Sequence, residues 1–393
     1  MASGIQIIDV DNVDSIDWPT NKESDHTRRY MVPFIKNGSL FYMDNADVKM
    51  MALMIDDVLM PLVLAERNYH DSNVCSTYTH YVKYAVEEIE KLDNRPLAWL
   101  LKACSLPFAL ILKAGRVDKV IYVNNWLFST NPCPELLPEQ VGAITSALKL
   151  RYPGYAIVFR SVNTYTCKTI FDSLRENGYR MVRSRQIYIL DPTRKAYLKK
   201  ENVRKDRKLL KKTAYKIIDT DQLTETDVPV LTKLYRDLYL RKHSFFNPQL
   251  NENFFHLILK ERILEIKALR KSGRIDAFSG CYSNKKVMIF GIGGHDTQVP
   301  LKVGLNRQYF SVTMAEAEKR GQLLNLSAGA GTFKLFRGAE PCIEYDAVYD
   351  DHLPFHRRLA WWCLKYSLDV WQYAASFLLC KRTVLPTSNR PPG

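Results

Sequence analysis

No Cys-x-x-Cys pair occurs in this sequence. The eight cysteines, Cys75, Cys104, Cys133, Cys167, Cys281, Cys342, Cys363 and Cys380, are dispersed. Also missing is a basic stretch leading into an apolar core: Met1 to Trp18 carries Asp9, Asp11, Asp14 and Asp17 instead, which does not fit a signal peptide. Separate, reduced thiols in a cytoplasmic protein are the expectation. The most apolar stretch, Leu359 to Leu379, is broken by Lys365, Asp369 and Gln372. A charge near a bilayer centre costs about 2.5 kcal/mol or more, so no transmembrane span is expected. Arg357-Arg358 before that stretch and Lys381-Arg382 after it leave two readings, a helix packed on its own domain or a helix touching a membrane surface. Pro354 separates His352 from His356 and keeps them off one helix face, so no metal site is expected.

What is present fits a well-packed protein, with 46% hydrophobic and 11% aromatic residues. A chain of 393 residues is too long for one ordinary core, and two domains follow. The net charge of +14 is concentrated. Arg194 to Lys216 holds eleven Lys or Arg against Glu201 and Asp206, leaving only +5 for the rest. This segment is long enough for a helix between the halves. It is either a solvated linker or a face that tracks phosphates, of coenzyme A or of tRNA.

Residues 1–35, acidic and without periodicity, suggest a flexible N-terminal arm. Residues 39–43, 48–55 and 58–65 suggest three short strands in a meander. Helices are expected over 77–92 and 96–114, then a strand over 119–128, a helix over 136–150, a strand over 156–160, a helix over 167–177 closed by Gly178, and a strand over 179–190. After the basic segment, helices over 227–241 and 253–262 precede a meander over 264–270, 274–282 and 287–292.

The most informative stretch runs from Lys285 to Tyr349. An apolar strand ends at Gly293-Gly294, a loop follows to Gly304, and a helix beginning near Leu305 is stopped by Gly321 with Lys319-Arg320 in its last turn. A second strand, 323–326, enters Ser327-Ala328-Gly329-Ala330-Gly331, and a basic turn leads to the strand around 343–348. A helix opening after a strand and a glycine-containing loop presents unpaired amides to an anion. Lys302, Val303, Gly304, Leu305 and Asn306 lie at that opening, where phosphate is the natural guest; an ordinary strand-to-helix connection is the alternative.

The run Ser327-Ala328-Gly329-Ala330-Gly331-Thr332-Phe333-Lys334-Leu335-Phe336-Arg337-Gly338-Ala339-Glu340-Pro341 resembles the signature of the FemAB-like acyltransferases, a branch of the GNAT superfamily. The resemblance implies an α+β fold of two GNAT-like halves, each a mostly antiparallel mixed sheet flanked by helices. The sheets are expected to be separate and to meet near Arg194 to Lys216, with residues 36–193 supporting and 217–393 holding the donor site. It implies acyl transfer from acyl-CoA, a co-substrate rather than a permanently bound cofactor, to the amine of a small molecule or amino acid derivative. Aminoacyl-tRNA is the alternative donor, and a non-catalytic nucleic-acid-binding scaffold is the alternative outside enzymes. Lys334 matches the lysine placed near the reacting carbonyl, and Arg337 could hold a phosphate or carboxylate with both arms of its guanidinium. Ile292, Gly293 and Lys302 to Asn306 would border the donor. Tyr235, Tyr239, His243 and Phe246 are candidate acceptor-pocket residues. His295, Asp296 and Tyr345 are candidate bases, and the sequence does not choose among them.

Overall fold

The computed structural model describes residues 4–66, 68–90 and 93–382. The apolar runs of the first half form strands β1 (Ile5–Ile8), β2 (Lys49–Ile55), β3 (Val58–Glu66), β4 (Lys119–Val123), β5 (Ala156–Asn163) and β6 (Arg180–Leu190). The second half contributes β7 (Lys216–Asp219), β8 (Glu265–Lys271), β9 (Arg274–Ser283), β10 (Val287–His295), β11 (Leu323–Asn325) and β12 (Glu340–Tyr349). The helices are α1 (Lys22–Asn37), α2 (Tyr84–Glu90), α3 (Arg95–Ala114), α4 (Pro138–Arg151), α5 (Lys168–Glu176), α6 (Glu201–Lys211), α7 (Val228–Tyr235), α8 (Glu252–Lys260), α9 (Leu305–Arg320), α10 (Gly331–Leu335) and α11 (Phe355–Arg382). Two π-helical turns, Thr79–Lys83 and Arg236–His243, extend α2 and α7.

All strands join one mixed, mostly antiparallel 12-stranded sheet in the order β1-β2-β3-β4-β5-β12-β6-β11-β10-β9-β8-β7. The order is an internal repeat read from both edges inward. In each half four antiparallel strands lead to a fifth that pairs parallel to the fourth, β5 with β4 and β11 with β10. The sixth strands are exchanged: β12 lies against β5, and β6 lies against β11. The two exchanged strands then pair with each other from Glu340↔Ile189 to Val348↔Arg180.

This exchange corrects the expectation of two separate sheets. Each half leaves one edge beside its fifth strand, and an unpaired edge is a row of unused donors and acceptors; the partner half's last strand fills it. One core accordingly runs through both halves, from Tyr30 and Phe34 on α1 past Trp126 to Phe254, Phe255 and Phe278. A second lies between β4–β5 and α4–α5, and a third joins Phe290, Tyr309, Phe310 and Leu324 where α9 covers β10 and β11.

Other expectations also shift. Residues 1–35 are not a free arm, because β1 pairs with β2 and α1 buries Tyr30, Met31, Phe34 and Ile35. The acidic N-terminal composition hid that helical spacing. Residues 39–43 form a turn whose Met43 bridges to Leu250, and the strand expected over 119–128 stops at Val123, after which Asn124 and Leu127 take positive φ. The C-terminal end of the helix expected over 77–92 lies outside the described residues. The basic segment is helical only from Glu201 to Lys211.

Glycine is required where β10 meets α7. A Cβ on Gly294 would lie 2.6–2.8 Å from the backbone of Leu234 and Tyr235, and backbone cannot step aside as a side chain can. Gly294→Ala is expected to lose about 1–3 kcal/mol in urea unfolding; an unchanged midpoint would contradict the close approach.

Candidate active cleft

The strands β10 and β11 pair only at Val287, Met288 and Ile289. Beyond that point β11 follows β6: Leu326 N donates to Tyr188 O (2.8 Å) and Tyr188 N to Ser327 O (3.2 Å). β10 continues to His295 with ladder partners on the β9 side, and the β9 register shifts between Phe290 and Ile292. A bulge of this kind turns the strand. Among the described residues, the second edge of β10 from Phe290 onward therefore has no strand beside it, and the two strands diverge.

The loop after β10 delivers the chain to the N-terminus of α9. Gly304 sits there at φ +68, with no side-chain cap on the first amides. Lys302 beside it is exposed. The basic helix α6 packs along α9. Leu209 lies where a Cβ on Gly304 would be only 2.8 Å away, Thr213 donates to Gln308, and Asp206 binds Arg307 (2.6 Å). Arg204, Lys208, Lys211 and Lys212 remain exposed on this helix. The segment expected to be either linker or phosphate-tracking thus touches the phosphate-candidate terminus directly.

Lys334 and Arg337 have tasks that the sequence did not reveal. The Lys334 ammonium donates to three backbone carbonyls, of Leu326 (2.7 Å), Ser327 (3.1 Å) and Ala328 (2.7 Å). Three protons meet three acceptors, so the side chain holds the glycine-rich turn in shape rather than facing a reacting carbonyl. Burial, then the charge of Arg185, pushes its pKa down to about 7. Arg337 grips Asp206 Oδ2 through Nε (2.7 Å) and Nη2 (2.6 Å), donates to Phe333 O, and lies 3.3 Å over the Phe333 ring. Its fork is occupied by a protein carboxylate, not held out for a ligand. Asp206, buried between Arg337 and Arg307, is the anchor that ties α6 to the second half.

Several predicted pocket residues do come together. Tyr235 stacks on Tyr239 (4.8 Å between ring centroids), His243 approaches Tyr239 (6.4 Å), and His295 faces Tyr309 (6.0 Å). Lys242 and His243 lie close enough to act on His295, whose pKa is lowered first by burial and then by Lys242. The imidazole is therefore neutral at pH 7, and its buried Nδ1 has no hydrogen-bond partner. Asp296 is engaged, accepting from Gln298 N (2.9 Å) and lying 3.7 Å from Arg274. Tyr345 packs on Phe171 in the apolar layer under α5 and does not join this group. Ile292 and Gly293 are interior positions of β10, opposite Gly280 and Ser279. Phe246 lies under Lys83 of the first half (5.5 Å), so the first π-helical turn meets the loop that follows the second; such backbone irregularities are common at functional sites.

The residues missed from sequence lie on the exchanged strands. Arg185 on β6 donates to Glu344 on β12 (2.7 Å), to Thr130 Oγ1 (2.6 Å) and to the Ser129 carbonyl, while Thr130 and Ser327 share a hydrogen bond (2.9 Å). Tyr81 donates to Asp346 (2.9 Å), and His80 bonds Ser184 (2.9 Å). Burial raises the pKa of both Glu344 and Asp346. The available signal was a charge inside each expected strand, since Arg185, Glu344 and Asp346 interrupt runs that otherwise suit a sheet interior.

No family model matches the chain, and neither does any curated protein. Among solved structures, FemX is 10% identical over 78% of this chain and 89% of its own, with a TM-score of 0.47. L-PGS from Bacillus licheniformis is 14% identical over 56% and 76%, at 0.43. A tandem GNAT protein from the clavulanic acid biosynthesis pathway is 10% identical over 88% and 98%, at 0.37.

Lys334→Met takes the ammonium from the carbonyls of Leu326 and Ala328 and leaves Ser327 O only its bond from Tyr188 N, and it is expected to cost about 2 kcal/mol or more in unfolding free energy, with turnover falling alongside the folded fraction. A Lys334→Met protein that melts like the parent but loses turnover would return this lysine to the chemistry.

Proposed function

We propose that the protein is an N-acyltransferase that moves an acyl group from acyl-CoA to the amine of a small molecule or amino acid derivative. The observation that carries this reading is the parting of β10 from β11 beside the uncapped N-terminus of α9. An extended donor arm bearing amides can hydrogen-bond to the free edge of β10 as an added strand would. Its phosphates then reach the α9 amides, Lys302 and the exposed cations of α6. The acyl carbon comes to rest near the end of β10, at His295.

There the neutral His295 is suited to act as general base. The amine lone pair attacks the thioester carbon, and a C–N bond forms as the C–S bond breaks. His295, through Nε2, the ring nitrogen that burial does not close off, takes the ammonium proton and returns it to the departing thiolate. Backbone N–H groups along the β10 edge are positioned to offset the charge that develops on the carbonyl oxygen. Tyr239 and His243 form the wall facing the acceptor amine. The exposed cations on α6 favour one second reading, aminoacyl-tRNA as donor, because a long polyanion would engage more of them than coenzyme A can.

Calorimetric titration with acetyl-CoA and with charged tRNA, side by side, tests the donor; if neither binds, the reading fails. Gly304 is a poor probe, since its positive φ and its contact with Leu209 would make any substitution unfold the site. Lys302→Glu is the cleaner variant, expected to weaken donor binding about tenfold at an unchanged melting temperature. His295→Asn is expected to lower kcat by about two orders of magnitude or more. Because burial holds the imidazole pKa below its usual value, the parent's rate should be flat from neutral pH upward and fall only on acidification. Full turnover in His295→Asn would remove the base assignment.

A further inference from the structure

The helix α3 is long and apolar enough to cross a membrane by length and composition, yet only 12% of that stretch is buried. Trp99, Leu106 and Leu110 are 74%, 64% and 60% exposed. At seven and eleven residues from Trp99 they fall on one stripe of the helix. On a neighbouring side of the same helix Pro107, Phe108 and the exposed Ile111 border an apolar groove of about 570 Å³ with Leu359, Trp362 and Tyr366 of α11, which are also exposed. Isolated exposed leucines need no explanation, but a contiguous patch on two helices does.

We propose that this face docks on an anionic lipid surface. The charge pattern selects that occupant. Arg95, Lys102 and Lys113 recur at seven and eleven residues and so run along one edge of the Trp99 stripe, Lys102 also binding Glu90 of α2 and Lys113 lying over the Tyr69 and Tyr78 rings, and α3 contains no Asp or Glu. Protein–protein interfaces are depleted in lysine, whereas an interfacial helix carries Lys and Arg beside its Trp and Leu face. Pairing with a second copy would set these cations against one another. The only acid on α11, Asp369, is already bonded to Arg183 and Lys365.

The helix lies on the surface rather than crossing it, because its C-terminal end is fastened to the protein. Arg357 donates to the carbonyls of Gly115, Arg116, Lys119 and Gly154. Gly115 approaches Ala360 so closely that an added Cβ would be 2.1 Å from the alanine's. Ala109 and Leu112 are buried in the domain. The apolar stripe upstream is what remains to enter the headgroup region. Aromatic side chains at such a boundary place an apolar body in the acyl region and a polar edge in water. Each nearby cation adds about 1 kcal/mol on an anionic leaflet. Docking is independent of the acyl-transfer reading, and α3 follows α2 and the π-helical turn that holds His80.

Flotation of the full chain with phosphatidylcholine vesicles, with and without phosphatidylglycerol, tests the proposal. The expected result is co-flotation with the phosphatidylglycerol vesicles that weakens as salt is added. A triple variant, Trp99→Glu, Leu106→Glu and Leu110→Glu, alters only exposed side chains and should melt like the parent while losing vesicle affinity on the order of a hundredfold. Absence of flotation with the anionic vesicles overturns the proposal, as does equal binding by the variant. So does light scattering that finds a dimer which the variant dissolves, since the face would then be an interface between copies.

Discussion

The reciprocal exchange of β6 and β12 is the constraint on which the rest depends. Two four-strand meanders, each with a parallel fifth strand, would present a bare edge in each half. Exchange turns those edges into the central ladder of a single sheet. It also carries Arg185 and Tyr188 out of the first half to the glycine-rich turn, and Glu344 and Asp346 out of the second half to Arg185 and Tyr81. A cleft wall is thus assembled from both halves, and neither could supply it alone. Moving the halves apart would require breaking the β12–β6 ladder along its length, so the seam holds the two halves as one sheet.

The legible parts of this fold were local. Helix α9, with its start near Leu305 and its stop at Gly321, and the meander β8–β9–β10 depend on periodicity and turn residues within a few positions of one another. The exchange was not legible, because pairing β12 with β5 and β6 is a contact across more than 150 residues and leaves no mark on either strand beyond apolar content. The same limit explains Lys334 and Arg337. A lysine in a glycine-rich turn and an arginine three residues later suit anion binding by type. What decides their use is whether acceptors already lie within reach, and here the carbonyls of residues 326–328 and the carboxylate of Asp206 do. Asp206 itself looked like a stray acid in a basic run, yet it is the buried anchor of that run. The pairing of candidate pocket residues Tyr235, Tyr239 and His243 was easier to foresee, since they lie four residues apart on one helical face.

The repeat is completed differently in its two halves. Helix α4 occupies the place in the first half that α9 occupies in the second, following the fourth strand and preceding the fifth. Its N-terminus is arranged differently, although no side chain caps its first amides either. Pro138 at the first turn has no N–H to offer, Gln140 accepts from Leu137 N (2.9 Å), and the Gln140 amide donates to Asp56 (2.7 Å). After β5, Asn163 satisfies the amides of Tyr165 and Thr166 (3.0 and 2.7 Å) and so closes the turn that corresponds to the glycine-rich one. In the second half the equivalent helix starts at Gly304, and the equivalent turn likewise has an asparagine, Asn325, accepting from Ser327 N (2.8 Å), to which the Lys334 ammonium adds bonds to the carbonyls of Leu326, Ser327 and Ala328. One topology has therefore been finished in two ways. The first half lends Arg185, Thr130 and His80 to the seam, while the second half builds the buried Lys334 and the Arg337–Asp206 pair around its own turn.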